Sequence, residues 1–448
     1  MKNSCHPTTP FEKFLTIIPA CLHPEEKKHP THFTRQRKLP VHRLFVLLLS
    51  LAGGGRTEGV DIETASVFKL ARRCGLWHNA QAAGRSAVSK ARAKLPWPAF
   101  RAVLTKAVDL AYELWPERAA DSWHGMNVLA IDGSKFNLPA TKEVRKAFDP
   151  NSGLENKGKG HYPQCLVSTL YDVFRRLPLA RTVVPCESGE RKEAVQLLRY
   201  ARGNSLIIYD RGYPSYGMLL DLTREFSGHF LMRCKVTNGF PVVRRFLEGN
   251  QKEGIIQIAP SKKYKESVTV QERGTLPMIT VRVIRARTPE GDETVFITDM
   301  LDAHTIPRQE IVDLYYKRWA IEVYYREEKI IHDIERFHSR TVNGIHQELF
   351  AIVIMTIISR TMAALSEEAH DLPPHRIQQK HAMVALARDA AILAPFDPGK
   401  ALVIFEELLD EMARVKYYAP EKTRPNAPRV SKAANNKWVT RRAEIQAP

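Results

Sequence analysis

The chain has 448 residues, enough to bury large cores and to form roughly two to four domains. Its 67 Lys and Arg against 49 Asp and Glu give a formal net charge of +18 and a pI of about 9.6. Such a charge favours a polyanionic partner, although solubility alone also explains it. The 6 cysteines show no CxxC spacing, which argues against a zinc module or a disulfide framework and predicts a reducing, cytoplasmic compartment.

Two apolar runs, residues 44–52 and 350–358, are too short for a membrane span, which needs roughly 20 residues. The N-terminus does not combine a basic region with an apolar run, so we expect no signal peptide. We therefore predict a protein without membrane association.

The first region, residues 1–122, is predicted to be a helical and basic DNA-binding domain. Within residues 85–95, apolar side chains recur at helical spacing and cations fill the remaining positions. This pattern is typical of a helix laid along DNA phosphates, and equally of an ordinary solvated helix. The candidate phosphate contacts are Arg85, Lys90, Arg92 and Lys94.

The second region, residues 123–222, contains two short apolar strands that each end in an aspartate, Asp132 and Asp210. Between them, residues 164–184 predict an antiparallel hairpin with a tight turn, and residues 188–201 predict a helix. An Asp after a strand is often only a turn or cap residue, so neither one alone indicates a site. Arg211 follows the second Asp and either contacts DNA or pairs with a nearby carboxylate.

The third region, residues 223–303, is predicted to be a β insertion rather than a loop, because a structureless segment of this length would be unusual. Its alternating runs predict strands at residues 228–235, 267–271, 277–286 and 293–298. The fourth region, residues 304–413, is predicted to be helical. The tail, residues 414–448, is basic and rich in Pro, Asn and Ala, so we expect disorder with nonspecific phosphate affinity.

The fourth region begins with a helix that carries a polar stripe. At about 100° per residue, Tyr315, Arg318, Glu322 and Lys329 fall within an arc of roughly 60°, with Arg326 beside them. A separate apolar face is expected to contain Val312, Trp319, Val323, Ile330 and Ile334. An acid flanked by cations and a phenol suits metal-bound phosphate, whereas the alternative is a solvated helix with ion pairs at i,i+4 spacing.

The chain resembles bacterial insertion-sequence DDE transposases of the Tyr-Arg-Glu-Lys signature group, the insertion-sequence-four type. Tyr315, Arg318, Glu322 and Lys329 match the signature spacing without a gap, and Asp132 and Asp210 match the first two acids. Segments 33–40 and 89–95 also resemble the N-terminal region of that family. The implied fold class is α/β: a ribonuclease-H-like core with a β insertion before the last catalytic helix, plus a helical N-terminal domain.

The resemblance also implies an activity. Asp132, Asp210 and Glu322 would be catalytic ligands of two Mg²⁺ ions, with Mn²⁺ as a substitute. The expected reactions are strand nicking, hairpin formation and strand transfer at transposon ends. Double-stranded DNA, namely the inverted-repeat ends and the target, is the expected partner of a homodimer.

The resemblance also implies roles for the signature side chains. Tyr315, Arg318, Arg326 and Lys329 would grip phosphate beside a sharply bent strand. Trp319 either stacks on an extruded base or belongs to the core. Two other functions stay open: a ribonuclease-H-like endonuclease or resolvase that only hydrolyses DNA, and an inactive transposase-derived DNA-binding protein, which would usually have lost an acid.

Overall fold

The computed structural model describes residues 8–19, 32–33, 39–54, 59–149, 162–268, 276–288 and 291–418. Segment 33–40 resembles the N-terminal region of the family, and most of it lies outside these ranges. The tail beyond residue 418 lies wholly outside them. The strands of the described residues are β1 Asn127–Asn137, β2 Gln164–Asp172, β3 Leu177–Pro185, β4 Ser205–Tyr209, β5 His229–Cys234, β6 Glu253–Ile258, β7 Ile279–Arg287 and β8 Glu293–Thr298.

The helices lie before, between and after these strands. They are α1 Thr8–Thr16, α2 Val41–Gly53, α3 Val60–Arg73, α4 Arg85–Arg92, α5 Pro98–Leu114, α6 Lys142–Phe148, α7 Glu190–Leu197, α8 Tyr216–Glu225, α9 Pro241–Glu248, α10 Lys262–Ser267, α11 Arg308–Tyr316, α12 Trp319–Arg326, α13 Val342–Ala369, α14 Gln379–Arg388 and α15 Pro398–Arg414. The protein is therefore a mixed α/β fold, as its sequence predicted.

All eight strands form one sheet in the order β3-β2-β1-β4-β5-β8-β7-β6. The predicted hairpin is present as β2 and β3, which pair antiparallel, and β2 also pairs antiparallel with β1. On the other side, β1 pairs parallel with β4, and β4 pairs parallel with β5. The central strands are buried on both faces, which explains their continuous apolar sequences.

The residues expected to form an insertion extend this sheet. β5 pairs with β4 on one edge and with β8 on the other, so β6, β7 and β8 continue the same layer and do not form a separate sheet. The run at 267–271 was not found as a strand: Ser267 ends α10, and residues 269–271 lie outside the described ranges. The division of the chain into five regions stays a prediction.

Helix α13 is the centre of the helical part of the molecule. It packs against α5 and α2 from the N-terminal region and against α14, α15 and β3. By length and hydropathy α13 would qualify as a membrane span, but 94% of its apolar window is buried inside the fold. Because it is surrounded by helices and the sheet, its apolar sequence is that of a buried core helix.

The helix predicted to carry the signature stripe is broken in two places. Residues 317 and 318 form a turn between α11 and α12, and residues 327–331 form a π turn directly after α12. Each break rotates the following residues, so the buried side chains are Ile321, Tyr324, Tyr325 and Glu328. The apolar face expected from a continuous helix is therefore only partly present: Val312 and Ile334 are buried, whereas Trp319 is 41% and Ile330 72% exposed.

Candidate active site and DNA-facing residues

The first two acids lie next to each other at the centre of the sheet. Ile131 is the register partner of Tyr209 in the parallel pair of β1 and β4, so Asp132 and Asp210 directly follow paired residues. Asp210 comes after the end of β4, as predicted. Asp132 does not end its strand, contrary to the prediction, because β1 stays paired with β2 as far as Asn137.

The third acid reaches the first two through the signature residues. Nη2 of Arg318 donates to Oε1 of Glu322 at 2.6 Å, and Nη1 of Arg318 lies 3.9 Å from Oδ2 of Asp132. The Tyr315 hydroxyl donates to Oδ1 of Asp210 at 3.2 Å. The end of α11 and the start of α12 thus bring the tyrosine, the arginine and all three acids into one contact network, in which the Arg318 guanidinium also lies over the Tyr315 ring.

The charges in this network depend on one another. Burial raises the pKa of Asp132 to about 7, although Arg318 and a hydrogen bond from the Gly133 backbone amide favour the ionised form. Glu322 raises it further. Burial lowers the pKa of Arg318, but Tyr315, Asp210 and the hydrogen bond to Glu322 outweigh that effect, so the net shift is upward and the guanidinium stays charged.

The donor chemistry of the site fits a divalent cation. Three carboxylates offer the oxygen ligands that Mg²⁺ and Mn²⁺ prefer. Burial is the main cause of the elevated pKa of Asp132, so a cation bound beside this carboxyl would favour its ionised form. Among the described residues, however, no three acidic, His or Cys side chains lie close enough to hold a metal, since Arg318 is paired with Glu322. A metal would therefore compete with Arg318 for Glu322.

Lys329 is attached to β1 rather than directed towards solvent. Its Nζ donates to Ser134 Oγ at 2.8 Å and to the Lys135 carbonyl at 2.7 Å, and it lies 4.6 Å from the Phe136 ring centroid. Burial lowers the pKa of Lys329. In this conformation Lys329 ties the π turn to the strand that carries Asp132, whereas Arg326 is exposed.

A buried ion pair beneath the site was not expected from the sequence. Nη2 of Arg181 on β3 donates to Oε1 of Glu328 at 2.8 Å, and its Nη1 donates to the Leu349 carbonyl on α13 at 2.9 Å. The Tyr324 hydroxyl also donates to Glu328, at 2.6 Å. This cluster joins the sheet, the π turn and α13. The only sequence signal for it is an arginine within the otherwise apolar run of β3.

Trp319 is 41% exposed, so the alternative that it belongs to the core is wrong. Arg211, the residue after Asp210, is also exposed and lines a cavity of about 520 Å³. Arg191, Lys235 and Arg245 line the same cavity, and no acid is among its described lining residues. A cavity lined by four cations suits a nucleic-acid strand.

The candidate DNA-binding residues between positions 85 and 94 divide into two groups. Arg85, Lys90 and Lys94 are exposed, and their contact with DNA stays a prediction. Arg92 is buried and donates to Gln347 Oε1 at 2.7 Å and to the Gly344 carbonyl at 2.6 Å. Its Nη2 also lies 2.8 Å from Oε1 of Glu348. The prediction that Arg92 binds phosphate is therefore corrected: its guanidinium holds α4 against the start of α13.

One acid within β1, a second directly after the adjacent β4, a third on a helix and surrounding cations define a class of proteins that act on nucleic-acid phosphates. Residues 123–358 match the family model described as the transposase DDE domain, which is more than half of the chain. The chain thus belongs to the DDE transposase family, as the signature predicted.

Two transposases are similar to this chain. The chain is 26% identical over 360 residues to the transposase InsG for insertion sequence element IS4 of Escherichia coli (strain K12), covering 79% of this chain and 78% of InsG. A cryo-EM structure of the piggyBac transposase synaptic complex with hairpin DNA aligns with 94% of this chain and 87% of that chain, at 10% identity and a TM-score of 0.45.

Proposed function

We propose that this transposase carries out metal-dependent cut-and-paste transposition of an insertion sequence, by strand nicking, hairpin formation and strand transfer at the element's ends. The observation that carries the proposal is the network in which Arg318 and Tyr315 contact Asp132, Asp210 and Glu322. A structural ion pair needs one acid for one cation. Three acids around one arginine instead suit a site that exchanges that arginine for other cations.

Asp132, Asp210 and Glu322 are the proposed metal ligands, for two Mg²⁺ ions or Mn²⁺ in their place. Two divalent cations bound there supply activation of the attacking oxygen and stabilisation of the leaving oxygen. If Glu322 held a metal, the Arg318 guanidinium would be free to hold a phosphate oxygen. Tyr315, buried at 3% exposure, keeps Asp210 oriented by its hydrogen bond.

DNA is proposed to approach from the side on which the exposed residues lie. Trp319, at the start of α12, offers an exposed ring for stacking on a base extruded from a bent strand. Arg326, at the end of α12, offers an exposed cation. Arg211 and its cavity would receive the strand beside Asp210. Strands β1 to β5 with α7 would then be a ribonuclease-H-like core, and β6 to β8 its insertion.

A DNA cleavage assay tests this function. On a labelled inverted-repeat end in Mg²⁺, the wild type should yield nicked, hairpin and joined products on denaturing gels. Asp132→Asn, Asp210→Asn and Glu322→Gln should each abolish all of them while leaving end binding intact, because each removes one ligand charge. Glu406→Gln, an exposed charge change on α15, is the matched control.

Each outcome of this assay has a distinct meaning. Nicking without any hairpin or joined product would favour the hydrolytic endonuclease. Binding without cleavage by the wild type would favour the inactive DNA-binding protein. A carboxamide variant that still nicks at the wild-type rate would remove its residue from the proposed site.

Excision must couple two ends, so the active species is proposed to be a homodimer that bridges two DNA segments in the cytoplasm. Without DNA, the charge of +18 opposes association of two copies. Light scattering should give a mass of one chain for the free protein and of two chains with two duplexes for the complex. A complex of one chain and one duplex that released an excised element would contradict the dimer.

A further inference from the structure

A fourth carboxylate lies beside Asp132. Glu190 is the first residue of α7, and its side chain lies over the backbone of Gly133. A Cβ atom at Gly133 would come within 3.0 Å of Glu190 Cγ and 3.1 Å of Glu190 Cδ. Gly133 does not have a left-handed backbone conformation, so a glycine is not needed for its φ angle. The glycine instead provides the space that lets the Glu190 carboxylate approach Asp132.

The charge of Glu190 is coupled to the proposed metal ligands. Burial raises the pKa of Glu190, Lys135 lowers it, and Asp210 raises it. Glu190 in turn raises the pKa of Asp132. These effects on pKa agree with the packing of the Glu190 side chain over Gly133, the residue that follows Asp132.

A buried hydroxyl lies at the same place and has no hydrogen-bond partner among the described residues. It belongs to Tyr213, which is 1% exposed. Burial raises the pKa of Tyr213, and the next largest contributions come from Asp132 and Glu190. A buried donor without an acceptor is unfavourable unless another group, such as an ordered water, completes it. The Tyr213 hydroxyl is therefore available as a donor to an oxygen bound beside it.

We propose that Glu190 is a fourth carboxylate of the divalent-cation site, and that the Tyr213 hydroxyl is a positioning donor for the water or carboxylate oxygen bound there. This inference rests on the metal site of the proposed function. Glu190 reaches the site from α7, whereas the other three acids are supplied by β1, the end of β4 and α12. The site would thus be enclosed on the α7 side, where none of the signature residues lies.

Binding of Mn²⁺ alone to the full-length protein, followed by electron paramagnetic resonance or calorimetry, tests this proposal without DNA. Glu190→Gln should weaken Mn²⁺ binding by on the order of tenfold or more, and Glu190→Asp should restore part of it. Gly133→Ala should weaken binding as well, because the added methyl displaces the Glu190 side chain. Tyr213→Phe keeps the ring but removes the hydroxyl, and should weaken binding with little change in the thermal unfolding midpoint.

Glu187→Gln is the matched control, since Glu187 is exposed and lies three residues before Glu190. It should bind Mn²⁺ as the wild type does. If Glu190→Gln also bound as the wild type did while Asp132→Asn lost binding, Glu190 would be excluded and the proposed function would stand. If the wild type bound no Mn²⁺, both the fourth carboxylate and the metal site would be rejected.

Discussion

Arg318 and Glu322 are paired across one helical turn, with Nη2 of the arginine 2.6 Å from Oε1 of the glutamate. The pair is only partly accessible, because the arginine side chain is 10% exposed and the glutamate side chain 30% exposed. The contact between them is a charge-assisted hydrogen bond, formed in the absence of metal. The same contact makes Arg318 a competitor of any cation that Glu322 binds.

Replacement of this arginine should separate metal binding from catalysis. Arg318→Ala should bind Mn²⁺ more tightly than the wild type, because the competing guanidinium is gone. Hairpin formation should nevertheless slow by about 100-fold, more than nicking does, because a donor to phosphate is lost at the bent strand. Mn²⁺ titration and denaturing gels measure the two effects. Equal loss of nicking and hairpin formation would show that Arg318 serves assembly of the site instead.

Lys329 should behave differently from Arg318. Lys329→Ala removes the link from the π turn to Ser134 and Lys135, so both nicking and hairpin formation should fall on the order of 100-fold through misplacement of Glu322. Lys329→Met, which keeps the apolar stem, should be equally impaired if the ammonium is what matters. If only hairpin formation were lost, the result would instead support the phosphate-binding role that the sequence resemblance implies for Lys329.

The sequence was most informative where function depends on local spacing. Asp210 followed a short apolar strand as expected, and the spacing of the signature identified Glu322. The break at Lys317 could not be read from hydrophobic periodicity, because each half of the segment is helical by itself. The role of Arg92 also escaped detection, because its partners Gln347 and Glu348 are remote in the chain and only the tertiary fold brings them near.

The Arg181–Glu328 pair should dominate the stability of the region beneath the site. Both side chains are almost fully buried, at 0% and 1% exposure, so Arg181→Met leaves an unpaired buried carboxylate. We expect the free energy of unfolding to fall by about 3–5 kcal/mol, measured by urea denaturation. The double variant Arg181→Met with Glu328→Met should recover a large part of this loss. If the double variant were as unstable as the sum of both single variants, the ion pair would not be the cause.

Acid should destabilise the junction between the start of α5 and α13. His346 stacks on Trp97, with ring centroids 4.6 Å apart, and burial lowers its pKa from 6.5 to about 4. Between these values the unfolded chain binds a proton that the folded chain does not. The stabilisation is therefore complete above pH 6.5 and declines as the pH falls towards 4, by on the order of 3 kcal/mol.

Urea denaturation at neutral pH and at about pH 5 measures this loss. His346→Phe keeps an aromatic ring and should reduce the difference between the two conditions. Burial also lowers the pKa of His375, to about 3. His375 should therefore also reduce stability as the pH falls, and this part of the pH dependence should remain in His346→Phe. An unchanged pH dependence in His346→Phe would assign the effect to other groups.

Replacement of two cations on α4 should affect different properties: DNA binding for Lys90 and thermal stability for Arg92. Lys90→Ala should weaken binding to any duplex and reduce the slope of log affinity against log salt by about 0.9 if Lys90 contacts one phosphate. Arg92→Ala should lower the thermal unfolding midpoint while the folded protein keeps its salt slope, since Arg92 is bonded to Gln347 and Gly344. Fluorescence anisotropy at several salt concentrations and thermal denaturation distinguish the two. A change of salt slope in Arg92→Ala would contradict its structural role.

The burial of α13 determines how the protein can be divided. The stretch that matches the family domain, residues 123–358, ends within this helix and excludes α2, α5, α14 and α15, which cover it. Expressed alone, that stretch would expose a long apolar helical surface to water and should aggregate. The enzymatic domain therefore depends for its solubility on chain segments that precede and follow it, and a boundary drawn by sequence similarity does not coincide with an independent folding unit.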